Sequence, residues 1–279
     1  MNVPISCSAS IPVVHNIEAI FFDMNGTLRI RELHEPTQLA ATNRILELLG
    51  KVDASGGNSE LVSRSWLPPS TAYWDELTRR YKAYSLWAQE NLLQLSEGEI
   101  WTRWLLPEYP REQIEPVAAE LTLAWGERKG HTVPNAGAEQ TIIELKRRGY
   151  HLGVISNSIS TLDIPRSLEA FGWKDYFEVV VLSSVVKYRK PAVEPFLEAA
   201  RAMNVEPSHC ACIGNRISKD LIGCKRAGFA FGIILDPAAI PCTEQDHTGE
   251  ADFVIRSLNE LLSVFHFRDI STDDPCGWD

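Results

Sequence analysis

The chain has 279 residues, of which 44% are hydrophobic, so it can bury a substantial core as one large domain or two smaller ones. Its formal net charge of −10 opposes binding to nucleic acid or to an anionic membrane surface. No apolar run approaches the roughly 20 residues needed to span a bilayer, and the N-terminal stretch lacks the basic start of a signal peptide. Six cysteines in a chain of this length are typical of reduced thiols and not of a disulfide framework, so we expect a cytoplasmic protein.

The first predicted element is a strand at residues 17–22, IEAIFF, whose nearly continuous apolar character is typical of a parallel sheet covered on both faces. After it, residues 34–133 carry helical patterns and no convincing strand. The helical patterns cover about residues 36–49, 71–94, 97–106 and 111–128. Between the first two, the polar segment KVDASGGNSELVSRS (51–65) predicts a mobile loop. Residues 34–133 are therefore expected to form an inserted, all-helical domain.

Aromatic residues are concentrated in this insertion. It contains six of the eight tryptophans: Trp66, Trp74, Trp87, Trp101, Trp104 and Trp125. They indicate either the core of a small helical bundle or, for one or two of them, the wall of a pocket for an apolar or aromatic substrate.

Short apolar runs and helical patterns alternate through the rest of the chain. The runs are YHLGVIS (150–156), FEVVVLS (177–183), HCACIG (209–214) and FAFGIIL (229–235). Strand and helix in alternation predict an α/β fold built on a doubly wound parallel sheet. We therefore expect a Rossmann-like core domain formed by residues 1–33 and 134–279, with the helical domain between its two parts.

Polar side chains follow the predicted strands at the points where they end. These residues are Asp23, Asn25, Thr27, Ser156, Asn157, Lys190, Asn215 and Asp220. Each one alone is typical of a turn, a helix cap or a solvated loop. In an open parallel sheet, however, ligands bind beyond the carboxyl ends of the strands, where these groups would meet. Together they predict a site for a dianionic phosphoryl group and a divalent metal.

Four segments, in this order, resemble the motifs of the haloacid dehalogenase superfamily, which includes many magnesium-dependent phosphatases. They are FFDMNGTL, VISNS, YRKPAVEPF and IGNRISKDLIGCKRAG. The resemblance covers nearly the whole chain and implies that residues 34–133 are a helical cap of the C1 type. It also implies that the cap encloses a small phosphorylated substrate and largely determines which substrate the protein accepts.

The resemblance assigns a role to each matched position. Asp23 would be the nucleophile and a metal ligand, and the backbone carbonyl of Asn25 would be a second ligand. Asp220 and Asn215 would complete a Mg²⁺ site. Thr27, Ser156, Asn157 and Lys190 would surround the phosphoryl group, Lys190 balancing the charge of the nucleophile. The implied reaction passes through an aspartyl-phosphate that water then hydrolyses.

Two amides stand where the family's phosphatases usually have acids. Asn25 replaces the general acid/base, a group that typically contributes about 10² to 10⁴ in rate. Asn215 can offer an oxygen to Mg²⁺ but no charge, so we expect weak metal binding. Two alternatives to a phosphatase therefore stay open: a metal-independent, dehalogenase-like hydrolase, and a weak or inactive protein that binds a phosphorylated ligand. The sequence leaves the substrate and the oligomeric state open.

Overall fold

A computed structural model describes residues 16–53, 71–238 and 251–268, and these residues contain eight strands. The strands are β1 (Ala19–Phe22), β2 (Arg29–Glu32), β3 (His131–Pro134), β4 (His151–Ser156), β5 (Val179–Leu182), β6 (Cys210–Gly214), β7 (Phe231–Leu235) and β8 (Phe253–Ile255). The five predicted apolar runs all form strands. We did not predict β8, because three residues are too short to give a pattern.

Six strands form one parallel sheet in the order β5-β4-β1-β6-β7-β8. β1 lies between β4 and β6, with Ala19 paired to His151 on one side and to Cys210 on the other. All four residues of β1 are buried, which explains their continuous apolar character. The strand order reverses direction at β1, so the carboxyl ends of β1, β4 and β6 meet at the point where such sheets bind ligands.

The described part of the chain between β2 and β3 is mainly helical. It contains α1 (Glu35–Asp53), α2 (Thr71–Asn91), α3 (Glu97–Ile100), α4 (Arg111–Ile114) and α5 (Ala118–Glu127). A π-helical turn at Trp101–Leu105 continues α3, whose start has a capping box between Ser96 and Glu99. These helices agree with the four predicted helical patterns. Most of the predicted loop at residues 51–65 lies outside the described residues.

The helices of the insertion pack around an apolar cluster of their own. Trp101 and Trp125 are buried in this cluster, and Trp74, Trp87 and Trp104 pack against it. Trp66 lies outside the described residues. These five tryptophans thus contribute to a helical core, the first of the two interpretations that the sequence offered.

The prediction that residues 34–133 contain no strand was wrong at their end. β3 begins at His131 and pairs in antiparallel fashion with β2, from Arg29 opposite Pro134 to Glu32 opposite His131. The two strands read RIRE and HTVP, which are too short and too polar to show the alternation that identifies a strand. This two-stranded ribbon joins the helical insertion to the sheet.

The remaining helices cover both faces of the sheet. They are α6 (Ala138–Arg147), α7 (Asp163–Ala170), α8 (Ser183–Val186), α9 (Glu194–Ala202), α10 (Ile222–Arg226) and α11 (Leu261–Val264). Residues of α6, α7 and α11 share one apolar cluster with one face of the sheet, and residues of α9 and α10 share another with the opposite face. The doubly wound α/β architecture predicted from the sequence is therefore confirmed.

Among the helices of the described ranges, none has both the length and the apolar character needed to cross a bilayer. Cys210, Cys212 and Cys224 are buried free thiols. Their burial agrees with the expectation that the close pair Cys210 and Cys212 belongs to the core of the sheet.

Candidate active site

Three of the predicted site residues meet at the carboxyl edge of the sheet. The Lys190 ammonium donates to Asp23 Oδ1 at 2.8 Å and to the backbone oxygen of Ile155 at 2.7 Å. Ser156 Oγ donates to the same Asp23 oxygen at 3.3 Å. Asp23, Ser156 and Lys190 are all buried, although they come from three separate parts of the chain. The predicted convergence of these residues is therefore observed.

Asp220 supplies a second buried carboxylate to this group. Its Oδ1 lies 2.6 Å from Lys190 Nζ, and its Oδ2 accepts a hydrogen bond from the backbone N–H of Arg216 at 3.0 Å. Gly214 makes this position possible, because a Cβ atom there would lie 2.4 Å from Asp220 Cβ and Cγ. One ammonium between the carboxylates of Asp23 and Asp220 leaves this trio with a net negative charge.

The protonation of the trio follows from its burial and its charges. Burial raises the pKa of Asp23, and the nearby ammonium of Lys190 opposes this only in part, so the pKa of Asp23 stays above its ordinary value. Burial lowers the pKa of Lys190, but the carboxylates of Asp220 and Asp23 outweigh burial and raise it. Lys190 is therefore a fixed cation. A further cation beside Asp23 would hold its carboxylate in the ionised form that a nucleophile needs.

The residues at this edge fit a hard divalent cation. Asp23 and Asp220 together carry one more negative charge than Lys190 neutralises, and oxygen atoms are the ligands that Mg²⁺ prefers. Asn215 lies against the loop after β1, since a Cβ atom on Gly26 would come within 2.2 Å of Asn215 Nδ2. The described residues contain no cluster of three or more His, Cys, Asp or Glu side chains that could hold a metal. A cation here would therefore depend on two carboxylates, amide or backbone oxygens, and water.

Asn25 is engaged by an arginine that the sequence analysis did not single out. Its Oδ1 accepts a hydrogen bond from Arg29 Nε at 3.0 Å. Arg29 is fully buried, and its guanidinium forms a bidentate pair with Asp163, at 3.1 and 2.5 Å, and also donates to Ser167. Arg29 directly follows the first motif, but Asp163 is 134 residues away, so no local pattern identifies the pair.

The side chains of Thr27 and Asn157, two of the predicted phosphoryl-binding residues, have different hydrogen-bond environments. The Thr27 side chain is fully buried, and its hydroxyl has no hydrogen-bond partner among the described residues. Both polar groups of the Asn157 side chain bind the backbone of Lys190: Oδ1 accepts from its N–H at 2.8 Å, and Nδ2 donates to its carbonyl at 3.0 Å. Asn157 thus holds Lys190 in place, and its backbone N–H is the group left to bind an oxyanion.

A cavity of about 370 Å³ opens beside these residues, between the insertion and the sheet. The core contributes Asn25, Gly26, Asn157, Ser158, Ile159, Ser160, Asp163 and Arg189 to its wall. The ribbon and the insertion contribute Arg29, Ile30, Arg31, Tyr81, Thr122, Gly126 and Lys129. A cavity of this size suits a small molecule.

The motifs and their geometry agree with a known family. A sequence model of the haloacid dehalogenase-like hydrolases matches residues 17–228, well over half of the chain. The chain belongs to this family. The predicted membership is therefore confirmed, and the protein is a hydrolase of the haloacid dehalogenase-like type.

Two relatives of this chain share a name, glyceraldehyde 3-phosphate phosphatase. The one from Pyrococcus furiosus is 26% identical over 259 residues, which cover 90% of this chain and 94% of the relative. The one from Methanothermobacter thermautotrophicus is 36% identical over 131 residues, which cover 47% of this chain and 57% of the relative.

A solved structure of a 2-haloacid dehalogenase from Pseudomonas syringae pv. Tomato covers 88% of this chain and 96% of its own. Its TM-score of 0.58 at 20% identity shows a common fold and nothing about the substrate.

Proposed function

We propose that the protein is a Mg²⁺-dependent phosphatase that hydrolyses small phosphate esters through an aspartyl-phosphate on Asp23. The observation that carries this proposal is the position of Lys190 Nζ, 2.8 Å from Asp23 Oδ1 and 2.6 Å from Asp220 Oδ1. This arrangement combines a nucleophile, a cation for the phosphoryl oxygens and a second carboxylate suited to a metal. The names of the relatives support a phosphate ester as the substrate.

In the first step, a carboxylate oxygen of Asp23 forms a bond to phosphorus while the bond from phosphorus to the ester oxygen breaks. Lys190 and the hydroxyl of Ser156 would stabilise the charge on the phosphoryl oxygens. The departing alkoxide takes a proton from water, because the amide of Asn25 cannot give one. In the second step, water attacks the same phosphorus, the bond to Asp23 breaks, inorganic phosphate leaves, and the proton lost by the attacking water passes to solvent.

Asp23, Asp220, Asn215 and the Asn25 backbone carbonyl are the proposed Mg²⁺ ligands. Bound Mg²⁺ would neutralise negative charge on the phosphoryl group. Thr27 and the backbone N–H of Asn157 are the remaining proposed phosphoryl contacts. Since Asn215 contributes no charge, we propose that Mg²⁺ binds more weakly than it would with a third carboxylate, the direction that ligand charge predicts.

The helical insertion, residues 34–133, is proposed to act as a cap over the strand ends. Two contacts support this role: Glu97 accepts hydrogen bonds from the backbone N–H and the hydroxyl of Thr161, at 3.0 and 3.1 Å, and Gln94 accepts one from Arg189. Both join the insertion to loops beside the site. A cap that excludes water would strengthen the interactions of Lys190 with the substrate. The cytoplasm, where its buried thiols stay reduced, is the proposed location.

The proposal is tested by hydrolysis of p-nitrophenyl phosphate with and without Mg²⁺. We expect turnover that EDTA abolishes and that Asp23→Asn lowers by at least about 10³, as for the loss of a nucleophile. Asp175→Asn, which changes an exposed aspartate in the turn Lys174–Tyr176, should leave the rate unchanged.

Two outcomes would replace the proposal. Metal-independent release of halide from 2-chloropropionate, lost in Asp23→Asn, would identify a dehalogenase. Saturable binding of phosphate without any turnover would identify a ligand-binding protein.

A further inference from the structure

Three cations line the cavity beside the active site without a carboxylate partner among the described residues. They are Arg31, Lys129 and Arg189. The fourth cation in the wall, Arg29, is different, because Asp163 neutralises it through a bidentate ion pair. The wall therefore carries an excess of positive charge next to Asn25 and Asn157, the residues that flank the proposed phosphoryl site.

The partners of the three cations are neutral. Arg31 Nη1 donates to the carbonyls of Gly126 and Gly130, at 2.8 and 2.9 Å. Lys129 Nζ lies 4.7 Å from the centre of the Tyr81 ring, and Arg189 Nη1 donates to the amide oxygen of Gln94. Carbonyls, an aromatic face and an amide orient a cation without adding a negative charge. The carboxylates of Asp163 and Glu127 offset part of the charge of Arg31 without forming an ion pair with it.

The surrounding protein disfavours the charged form of all three side chains. Burial lowers the pKa of Arg189. Arg31 and Lys129 are exposed residues, yet partial burial lowers the pKa of both. For Lys129 the neighbouring Arg31 is a second cause. For Arg31 the neighbouring Arg29 acts in the same direction as burial, while the carboxylates of Asp163 and Glu127 act in the opposite one. Like charges that are partly desolvated and unpaired are a common feature of sites that bind an oppositely charged ligand.

We propose that this cavity binds a second anionic group on the substrate, so that the preferred substrates are small phosphate esters that also carry a carboxylate or another phosphate. The inference rests on the proposed phosphatase activity, because the first phosphoryl group is placed at Asp23. With that group at the strand ends, the rest of a small substrate would extend along the wall that holds the three cations. An anion there would gain charge-assisted hydrogen bonds.

Lys129 and Arg189 are the residues that test this inference. Arg31 also binds carbonyls at the end of α5, so its loss would disturb the fold as well as the cavity. Lys129→Gln and Arg189→Gln each remove a charge and keep a polar side chain. The control is Lys82→Gln, which removes an exposed lysine of α2 that does not line the cavity.

The first experiment compares 2-phosphoglycolate with 2-hydroxyethyl phosphate, which differ in a carboxylate. We expect kcat/KM to be at least about tenfold higher for 2-phosphoglycolate, which corresponds to about 1.4 kcal/mol. The ratio of kcat/KM for 2-phosphoglycolate to kcat/KM for 2-hydroxyethyl phosphate should fall severalfold in Lys129→Gln and Arg189→Gln. It should stay unchanged in Lys82→Gln. Equal kcat/KM values for the two esters would exclude a carboxylate as the second anionic group while leaving the phosphatase proposal intact.

A second experiment measures binding and requires no turnover. Calorimetry with Mg²⁺ compares propylphosphonate, 3-phosphonopropionate and propane-1,3-bisphosphonate, which carry no second anion, a carboxylate and a second phosphonate. We expect at least one of the last two to bind about tenfold more tightly than propylphosphonate, and the stronger of them identifies the preferred second group. Failure of both to exceed propylphosphonate, or an advantage that persists in Lys129→Gln and Arg189→Gln, would overturn the inference even if the protein hydrolyses nothing.

Discussion

Replacing Asn25 with aspartate should restore water activation but not proton donation, because Arg29 already occupies the space beside this side chain. Arg29 Nε lies 3.0 Å from Asn25 Oδ1, and its cation is held in place by Asp163 and Ser167. A carboxylate oxygen introduced at the same point would sit next to a fixed positive charge. An adjacent arginine typically lowers the pKa of a carboxyl group by about 1 to 3, and the pairing of Arg29 with Asp163 places the effect at the lower end of this range.

The size of this pKa shift decides which of the two chemical steps becomes faster in Asn25→Asp. An ordinary aspartic acid is protonated at about one part in 10³ at pH 7, and the neighbouring arginine, itself paired with Asp163, would reduce that fraction about a further tenfold. The introduced group would therefore rarely be able to protonate an alkoxide. As a carboxylate it can still accept a proton from water, a role that typically contributes about 10² to 10⁴ in rate. Hydrolysis of the aspartyl-phosphate should accelerate, and departure of a poor leaving group should not.

Two phosphate esters distinguish an effect on departure of the leaving group from an effect on hydrolysis of the aspartyl-phosphate. With p-nitrophenyl phosphate, whose leaving group needs no acid, wild-type protein should give a burst of p-nitrophenol followed by slow turnover. Asn25→Asp should abolish the burst and raise the steady-state rate by about 10². With glycerol phosphate, the increase at pH 7 should stay below about tenfold. Asn25→Ala, which removes the hydrogen bond to Arg29 without adding charge, is the control.

Either of two results would refute this reasoning. An equal acceleration of both esters at pH 7 would mean that the introduced group is protonated in spite of Arg29. The absence of any acceleration would mean that water is not activated at position 25.

Three further predictions concern the metal, the packing and the pH dependence of the site. Asn215→Asp should tighten Mg²⁺ binding by about tenfold or more, measured by calorimetry, because it adds charge to the ligand set. Gly214→Ala should lower the free energy of unfolding by about 1 to 3 kcal/mol in urea, since its Cβ would overlap Asp220. The matched change Gly50→Ala, with nothing within 4 Å of its Cβ, should not destabilise the protein, and destabilisation there would contradict the steric explanation. The value of kcat/KM should fall as pH drops through the raised pKa of Asp23, and saturating Mg²⁺ should move this decline to lower pH; an unmoved decline would argue against a metal beside Asp23.

The sequence by itself was enough to predict the sheet and most of the helices. A strand buried on both faces reads as an unbroken apolar run, and β1, β4, β5, β6 and β7 all have this form. The helices of the insertion show apolar spacing of three and four over long stretches. Local patterns failed for the ribbon β2–β3 and for β8, because three or four residues with mixed polarity carry too little periodicity to be recognised.

The sequence also predicted which residues would meet at the strand ends. The polar residues that follow β1, β4 and β6 must lie at one edge, because parallel strands align their carboxyl ends. Asp23, Ser156 and Asp220 could be identified in this way, together with Lys190, which follows β5, and the family motifs then assigned a role to each. Their hydrogen-bond distances confirm that they converge, while their catalytic roles remain proposals.

Only the tertiary structure revealed what surrounds those residues. The pairing of Arg29 with Asp163 joins positions 134 residues apart, and the ribbon, the end of α5 and the loop before Lys190 bring three further cations to one cavity. A charged residue in a sequence gives no sign of its partner, because ion pairs and pockets form between segments that folding brings together. The residues that react could thus be predicted from local motifs, whereas the charges that surround the substrate depended on the packing of the whole chain.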